Sequence, residues 1–149
     1  MKIIVQNKKA RHDFAILESF EAGIALLGTE VKSLREGKAN LRDSYASIEG
    51  GELILHGLHI TPYSHTSERN LDPDRNRKLL MNRTEINKLT IKVKEKGLTL
   101  VALKLYFNPR GIAKVELGLA KGKKLHDKRD SIAERDARRD VDRAMKRDR

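Results

Sequence analysis

The chain has 149 residues and carries 32 Lys and Arg against 21 Asp and Glu, which gives a net charge of +11 and a pI near 10.0. This length fits one domain with a tail, and the basic excess favours a polyanionic partner, RNA or DNA ahead of a membrane. The absence of cysteine excludes disulfides, thiolate chemistry and cysteine-bound zinc, and it suits a cytoplasmic protein. No long apolar run, signal-type N-terminus or lipidation motif is present, so the sequence predicts no membrane attachment.

The first part of the chain predicts short strands and one helix. Residues 1–9 form a basic lead, and the aliphatic residues of segment 14–27 are interrupted at Glu21-Ala22-Gly23. This pattern predicts two strands joined by a tight turn. Thr29 is predicted to cap a short helix, and Gly37 is predicted to end it.

The second part of the body predicts two hairpins around a longer helix. Gly50-Gly51 lies between two apolar segments and indicates the first hairpin. The polar segment 61–76 predicts a long mobile loop. Asn82 is predicted to cap a helix that Gly97 ends, and residues 108–111 predict the turn of a second hairpin.

Together these elements predict a mainly β fold. About six strands without βαβ alternation favour an OB-like antiparallel β-barrel with added short helices, because closure removes exposed strand edges. We expect this RNA-binding barrel to occupy residues 1–120.

Residues 121–149 are predicted to form a separate basic C-terminal tail. They hold 12 basic and 7 acidic side chains. An apolar stripe at helical spacing is too thin to hold a helix against the body; it consists of Ala133, Ala137, Val141 and Met145. An isolated helix of this length is marginal in water. We therefore expect a tail that is disordered when free and orders on a polyanion.

Three clusters of basic residues occur in the body. Any one of them is compatible with an ordinary solvated face, but three in a basic body favour a surface that follows phosphates. The clusters are Lys8, Lys9 and Arg11; Lys32 and Arg35; and Arg75, Arg77 and Lys78.

No catalytic constellation accompanies the histidines. On a strand, side chains three apart point to opposite faces, so His56 and His59 are poorly placed to share a metal. HExxH, Walker A, GxSxG and GxGxxG patterns are absent. We predict no enzyme, no cofactor and no metal. Two alternatives stay open: a metal-assisted RNA hydrolase using His56, His59 or His65, and a ribosomal structural protein.

Several motifs occur in order along residues 7–149. They are NKKARH from Asn7, EAGI from Glu21, GTEVKSLREGK from Gly28, DSY from Asp43, RKLL from Arg77, and GKK with DKR from Gly122 and Asp127. Together they closely resemble the small protein B (SmpB) family, the SsrA-binding proteins of bacterial trans-translation.

The resemblance implies an OB-like barrel that binds transfer-messenger RNA near the elbow of its tRNA-like domain. It further implies that the protein and this RNA together reach ribosomes stalled on truncated messages. Elongation factor Tu would be a partner through the aminoacylated RNA. The resemblance places Glu21, Gly23, Leu80 and Asn82 in the RNA-binding surface, with Asn7, Lys8 and Lys78 as companions on the same basic face. The basic clusters add Lys9, Arg11, Lys32 and Arg35 to the expected RNA-binding residues.

Two of these residues are unusual for an RNA surface. Leu80 is equally compatible with a strand residue of the core. Glu21 would repel phosphate, but its carboxylate can accept a hydrogen bond from a base amino group or a ribose hydroxyl.

The resemblance also implies that the tail enters the decoding centre and the vacant message channel of the small subunit and becomes helical there. The tail residues expected to contact the ribosome are Lys123, Lys124, His126, Asp127, Lys128 and Arg129.

Overall fold

The computed structural model describes residues 1–63 and 72–122, which form nine strands and three helices. His65 and the tail residues from Lys123 onward lie outside these ranges, and so do the predictions made for them. The elements in chain order are β1 (Lys2–Gln6), α1 (Lys8–Asp13), β2 (Phe14–Ile24), α2 (Gly28–Arg35), β3 (Ala39–Asn40), β4 (Tyr45–Glu49), β5 (Glu52–His56), β6 (His59–Ile60), β7 (Arg77–Leu80), α3 (Arg83–Lys96), β8 (Thr99–Phe107) and β9 (Ala113–Gly122).

Six strands close into an antiparallel ring in the order β8-β4-β5-β7-β2-β9, and β9 pairs back onto β8. Strand β1 adds to the end of β8 that β4 leaves open, and β3 and β6 form a separate small sheet. The ring has no free edge strand, which is the usual advantage of barrel closure. The predicted mainly β, OB-like barrel is confirmed.

The barrel interior is filled by alternate strand residues. Leu53 and Leu55 on β5 are fully buried, as are Leu117 and Leu119 on β9. On β5 these residues alternate with more exposed neighbours, which follows the period of two that a strand imposes. Helix α3 adds buried Ile86 and Leu89 to the same core, and α2 adds Leu34.

Helix α1 covers part of the outer face of the sheet. This helix was not predicted from the sequence. Its Ala10 packs on a small apolar cluster formed with Val101, Leu103 and Ala120. The sequence of α1 is almost entirely charged, so it lacks the apolar stripe by which a helix is usually predicted.

Most of segment 14–27 forms one 11-residue strand, Phe14–Ile24, so the predicted pair of strands with a turn at Glu21-Ala22-Gly23 is wrong. The segment continues as a strand because it has partners on both sides: Gly23 pairs with Lys114 of β9 and with Leu80 of β7. The irregularity in β2 lies earlier, between Ile16 and Glu18.

The predicted Thr29 cap is also wrong. Helix α2 begins at Gly28, and the backbone N–H of Leu27 donates to the Glu30 carboxylate at 2.9 Å. The predicted start and end of α3 are confirmed. Asn82 caps α3 by accepting from the Thr84 N–H at 2.8 Å, and Gly97 ends α3 with a φ of 62°.

The last strand continues past the predicted division between barrel and tail. Lys121 pairs with Ala15, and Gly122 pairs with Phe14. The division into barrel and tail stays a prediction, and the ordered pairing of β9 extends to Gly122.

Candidate nucleic-acid interface

A row of paired residues crosses the outer face of the barrel. Leu80 of β7 pairs with Gly23 of β2, Gly23 pairs with Lys114 of β9, and Lys114 pairs with Tyr106 of β8. Directly opposed residues project from the same face of an antiparallel sheet. Leu80 is 51% exposed, so the alternative that it is a core residue is wrong.

Gly23 is buried and packs directly against Leu80. A Cβ atom at Gly23 would lie 3.3 Å from the Leu80 Cβ, closer than most such contacts. Glycine therefore lets β2 and β7 approach without displacing the exposed leucine. Its φ is negative, so this position needs a small residue and not an unusual backbone conformation.

Glu21 lies two residues before Gly23 and hence on the same face of β2. The Tyr106 hydroxyl donates a hydrogen bond to the Glu21 Oε2 atom. Burial of Tyr106, together with the nearby Glu21 and Glu116 carboxylates, raises the pKa of its hydroxyl well above the ordinary value. The hydroxyl therefore stays protonated and acts as the donor.

Asn82 and Lys78 flank Leu80 in sequence and are exposed. Lys78 projects from the same face of β7 as Leu80, because the two are two residues apart. Its Nζ atom lies 3.0 Å from Glu52, and both side chains are about half exposed. A surface pair of this kind contributes little and is screened by salt, so Lys78 remains accessible to phosphate.

Helix α1 presents Lys8, Lys9 and Arg11 to solvent, as predicted. Asn7 differs from them because its side chain is buried. Its Nδ2 donates to the carbonyls of Leu41 and Ala102 at 3.2 and 3.1 Å, and its Oδ1 accepts from the Ala10 N–H at 3.2 Å. These bonds satisfy its amide within the protein, so Asn7 holds α1 in place.

Helix α2 presents Lys32 and Arg35 to solvent. The Lys32 Nζ atom lies 5.5 Å from the centre of the Tyr63 ring, which is within the range of a cation–π contact.

Arg77 is buried, so its predicted contact with phosphate is wrong. Its Nε and Nη2 donate to the Glu30 Oε2 at 3.0 and 2.7 Å, and its remaining N–H groups reach the carbonyls of Leu58, Arg75 and Pro73. All five guanidinium donors are thereby used. Arg75 also donates to Glu30, at 2.6 and 3.1 Å. No local pattern in the sequence indicates this cluster, because Arg75 and Arg77 lie 45 and 47 residues after Glu30.

Glu30 is ionised in this cluster. Burial of the carboxyl opposes ionisation and raises its pKa. Hydrogen bonds from Arg75, the Leu27 N–H and Arg77 outweigh this effect and hold the pKa of Glu30 below its ordinary value of 4.5.

His56 and His59 have separate side-chain partners. The His56 Nε2 atom lies 2.8 Å from the Ser47 Oγ and 2.9 Å from the Glu49 Oε2, while His59 Nδ1 lies 2.8 Å from Asp74. Ser47 and Glu49 approach the same ring nitrogen of His56, whereas a serine triad needs one on each nitrogen. Across residues 1–63 and 72–122, no group of three or more His, Cys, Asp or Glu could hold a metal ion.

None of the helices in the described part of the chain is long and apolar enough to cross a membrane. The structure thus presents a closed antiparallel barrel with basic residues on α1, α2 and β7 and an exposed leucine, Leu80, packed on Gly23. These features place it in the class of nucleic-acid-binding barrels.

Comparison with known proteins narrows this class. The family model described as "SmpB protein" matches residues 4–147. The SsrA-binding protein of Moorella thermoacetica is 60% identical over 146 residues, which cover 98% of this chain and 94% of the relative. The SsrA-binding protein of Desulforamulus reducens is 58% identical over 145 residues, covering 97% and 90%. The chain belongs to the SmpB family.

A solved structure supports the same assignment. It is described as "tmRNA-SmpB: a journey to the center of the bacterial ribosome", and its chain is 59% identical with a TM-score of 0.67, covering 80% of this chain and 84% of that one. The predicted family is confirmed. The family consists of RNA-binding adaptors, which confirms the prediction that the chain is not an enzyme. The roles of the individual site residues stay predictions.

Proposed function

We propose that this chain binds the tRNA-like domain of transfer-messenger RNA and delivers that RNA to ribosomes stalled on truncated messages. The observation that carries the proposal is the match to SsrA-binding proteins at 60% identity over 98% of the chain. The ribosomal context comes from the similar solved structure. The barrel face described above supplies the chemistry that this function needs.

The RNA is bound by a recognition patch, defined as Glu21, Gly23, Leu80 and Asn82. The exposed Leu80, which packs on Gly23, contacts a sugar or base, and Glu21 and Asn82 supply polar contacts that depend on the identity and orientation of RNA groups. Asn82 already caps α3 through its Oδ1 atom, so it both holds the start of the helix and lies at the patch.

Lysine and arginine side chains around the patch supply charge. Lys78 lies beside Leu80, and Lys8, Lys9 and Arg11 line α1. Lys32 and Arg35 extend the basic surface along α2. These contacts neutralise phosphates, so they raise affinity for any RNA and weaken as salt rises.

The tail acts on the ribosome and not on the RNA. Lys123, Lys124, Lys128 and Arg129 meet ribosomal RNA phosphates in the vacant message channel, and His126 and Asp127 make fitted contacts in the decoding centre. Elongation factor Tu joins through the aminoacylated RNA, and the whole cycle takes place in the cytoplasm.

Binding and turnover test the proposal. The full-length protein should bind a tRNA-like-domain transcript more tightly than a hairpin RNA of equal length, and the RNA should remain intact with divalent metal present. Purified protein should also restore peptide tagging on ribosomes stalled on truncated messages. Equal affinity for both RNAs would contradict the proposal, and cleavage by substoichiometric protein would favour the hydrolase. A constant ratio of protein to all ribosomes, stalled or not, would favour a ribosomal structural protein.

A further inference from the structure

Glu21 is the one acidic residue of the recognition patch. In the sheet it pairs with Glu116 of β9, which in turn pairs with Lys104 of β8. Two carboxylates directly opposed on neighbouring strands repel each other. A pair arranged in this way needs compensation, and the structure supplies it differently for each member.

Cations compensate Glu116. Its Oε1 atom lies 3.7 Å from the Arg11 Nη2 and 3.9 Å from the Lys104 Nζ. Glu21 has no such partner: within the described ranges, no Lys, Arg or His nitrogen lies within 4.0 Å of its carboxylate. Its neighbour is the uncharged hydroxyl of Tyr106. Within that part of the chain, the Glu21 carboxylate is therefore held at one oxygen by a neutral donor and has no neighbouring cation.

Tyr106 is well suited to hold another side chain. It is only 6% exposed and lies in the row between Ile3 of β1 and Lys114 of β9. The Lys104 Nζ atom lies 5.5 Å from the centre of its ring. A buried ring has few alternative rotamers, so its hydroxyl is a fixed point, whereas an exposed glutamate alone samples many conformations.

We propose that Tyr106 is a positioning residue that fixes the Glu21 carboxylate to accept a hydrogen bond from an N–H or O–H group of the RNA. This inference rests on the proposed function, because it assigns a role within the recognition patch. An ionised carboxylate is an acceptor only. It therefore favours a base amino or imino group or a ribose hydroxyl, and it repels a phosphate placed at the same point.

The arrangement predicts selectivity and not general affinity. The Tyr106 hydroxyl contacts Glu21 inside the protein and carries no charge to attract RNA. Its loss should leave binding to unrelated RNA unchanged, while the tRNA-like domain loses the benefit of a carboxylate that is already in place.

The experiment compares four full-length variants with the wild type: Tyr106→Phe, Glu21→Ala, the double variant, and Tyr45→Phe as the control for losing a tyrosine hydroxyl from an exposed strand position. The probes are a tRNA-like-domain transcript and a hairpin RNA of equal length. We expect Tyr106→Phe to weaken binding to the first probe about tenfold and to leave the second unchanged, with Tyr45→Phe equal to wild type. In the Glu21→Ala background, Tyr106→Phe should add nothing, because Tyr106 acts through Glu21.

Three results would overturn the inference. One is independent, additive losses in the double variant. Another is an equal loss for both RNAs, which would mean a general structural defect. The third is an unchanged affinity of Tyr106→Phe for the tRNA-like domain. Failure of the wild type to prefer that domain would instead contradict the proposed function, so the two failures are distinguishable.

Discussion

Glu30 of α2 and Arg77 of β7 form a buried ion pair, in which the Arg77 Nη2 donates to the Glu30 Oε2 at 2.7 Å and the two side chains are 0% and 2% exposed. The pair joins a helix on the outside of the barrel to a strand of its wall. Since every guanidinium donor is satisfied, the charge of Arg77 is used for architecture and is unavailable to RNA.

Removing one partner of this pair should destabilise the protein strongly. Glu30→Ala leaves Arg77 buried without its counter-ion, which typically costs about 3–5 kcal/mol of unfolding free energy. Chemical denaturation measures the loss. The matched control is Glu18→Ala, which breaks the exposed pair with Lys92 at 2.7 Å and should cost less than about 1 kcal/mol. Similar losses in both variants would contradict the structural role.

The same cluster should make stability depend on acid pH. The pKa of Glu30 is lower in the folded protein than its ordinary value of 4.5, so between these two values the unfolded chain binds more protons. The stabilisation by Glu30 is therefore complete above pH 4.5 and is lost as pH falls through the folded pKa. Unfolding free energies measured from pH 6 to pH 3, a range of about three units, should fall less steeply in Glu30→Gln. Parallel curves would exclude Glu30 as the source.

A larger residue at position 23 should disturb the packing of Leu80 on β2. In Gly23→Val the new Cβ atom would lie 3.3 Å from the Leu80 Cβ, and its two methyl groups would come closer still. Leu80 must therefore move. We expect weaker binding to the tRNA-like domain, by about 1–3 kcal/mol, with smaller effects on unrelated RNA. Gly28→Ala is the control, because a Cβ there meets nothing within 4 Å. Unchanged cognate affinity in Gly23→Val would remove Gly23 from the patch.

Asn82 should have two separable roles. Asn82→Ala removes the α3 cap and should cost about 1 kcal/mol of stability, whereas Asn82→Ser keeps a capping oxygen and should cost much less. Both variants should weaken cognate RNA binding by about 1–3 kcal/mol if the amide makes a buried polar contact with RNA. Thermal unfolding and RNA titration separate the effects. If Asn82→Ser binds normally, Asn82 is only a helix cap.

The tail should separate RNA binding from activity on the ribosome. Replacing Asp127, Lys128 and Arg129 by Ala should leave affinity for the tRNA-like domain near wild type and abolish peptide tagging on stalled ribosomes. The reason is that these residues follow the last strand, while the recognition patch lies on the barrel. RNA titration and a tagging assay measure the two activities. Normal tagging, or failure through lost RNA binding, would contradict this division.

The sequence predicted the barrel well where a local signal determined the structure. Gly50-Gly51 adopt positive φ values of 59° and 80° between two alternating strands, as a hairpin turn requires. The N-cap at Asn82 and the end of α3 at Gly97 are equally local. In contrast, Gly23 resembled a turn residue, and only its partners on β7 and β9 show that it belongs inside a strand.

The candidate site was also predicted only where short motifs in the sequence indicated it. Motif resemblance indicated Glu21, Gly23, Leu80 and Asn82, and the structure places Gly23 directly opposite Leu80. It could not indicate that Tyr106 holds Glu21, since the two are 85 residues apart and meet only across β9. Composition also overstated the positive surface. Burial of Arg77 depends on Glu30, and nothing near either residue in sequence indicates that pairing.

Because Gly122 pairs with Phe14, and Phe14 is the residue that follows α1, the end of β9 is fixed beside the basic helix. Helix α1 and the end of β9 therefore lie at the same end of β2, and a displacement of the helix is transmitted to the last strand pairing of the barrel. We therefore expect a substitution that shifts α1 to displace the end of β9 as well, even where the recognition patch itself is unchanged.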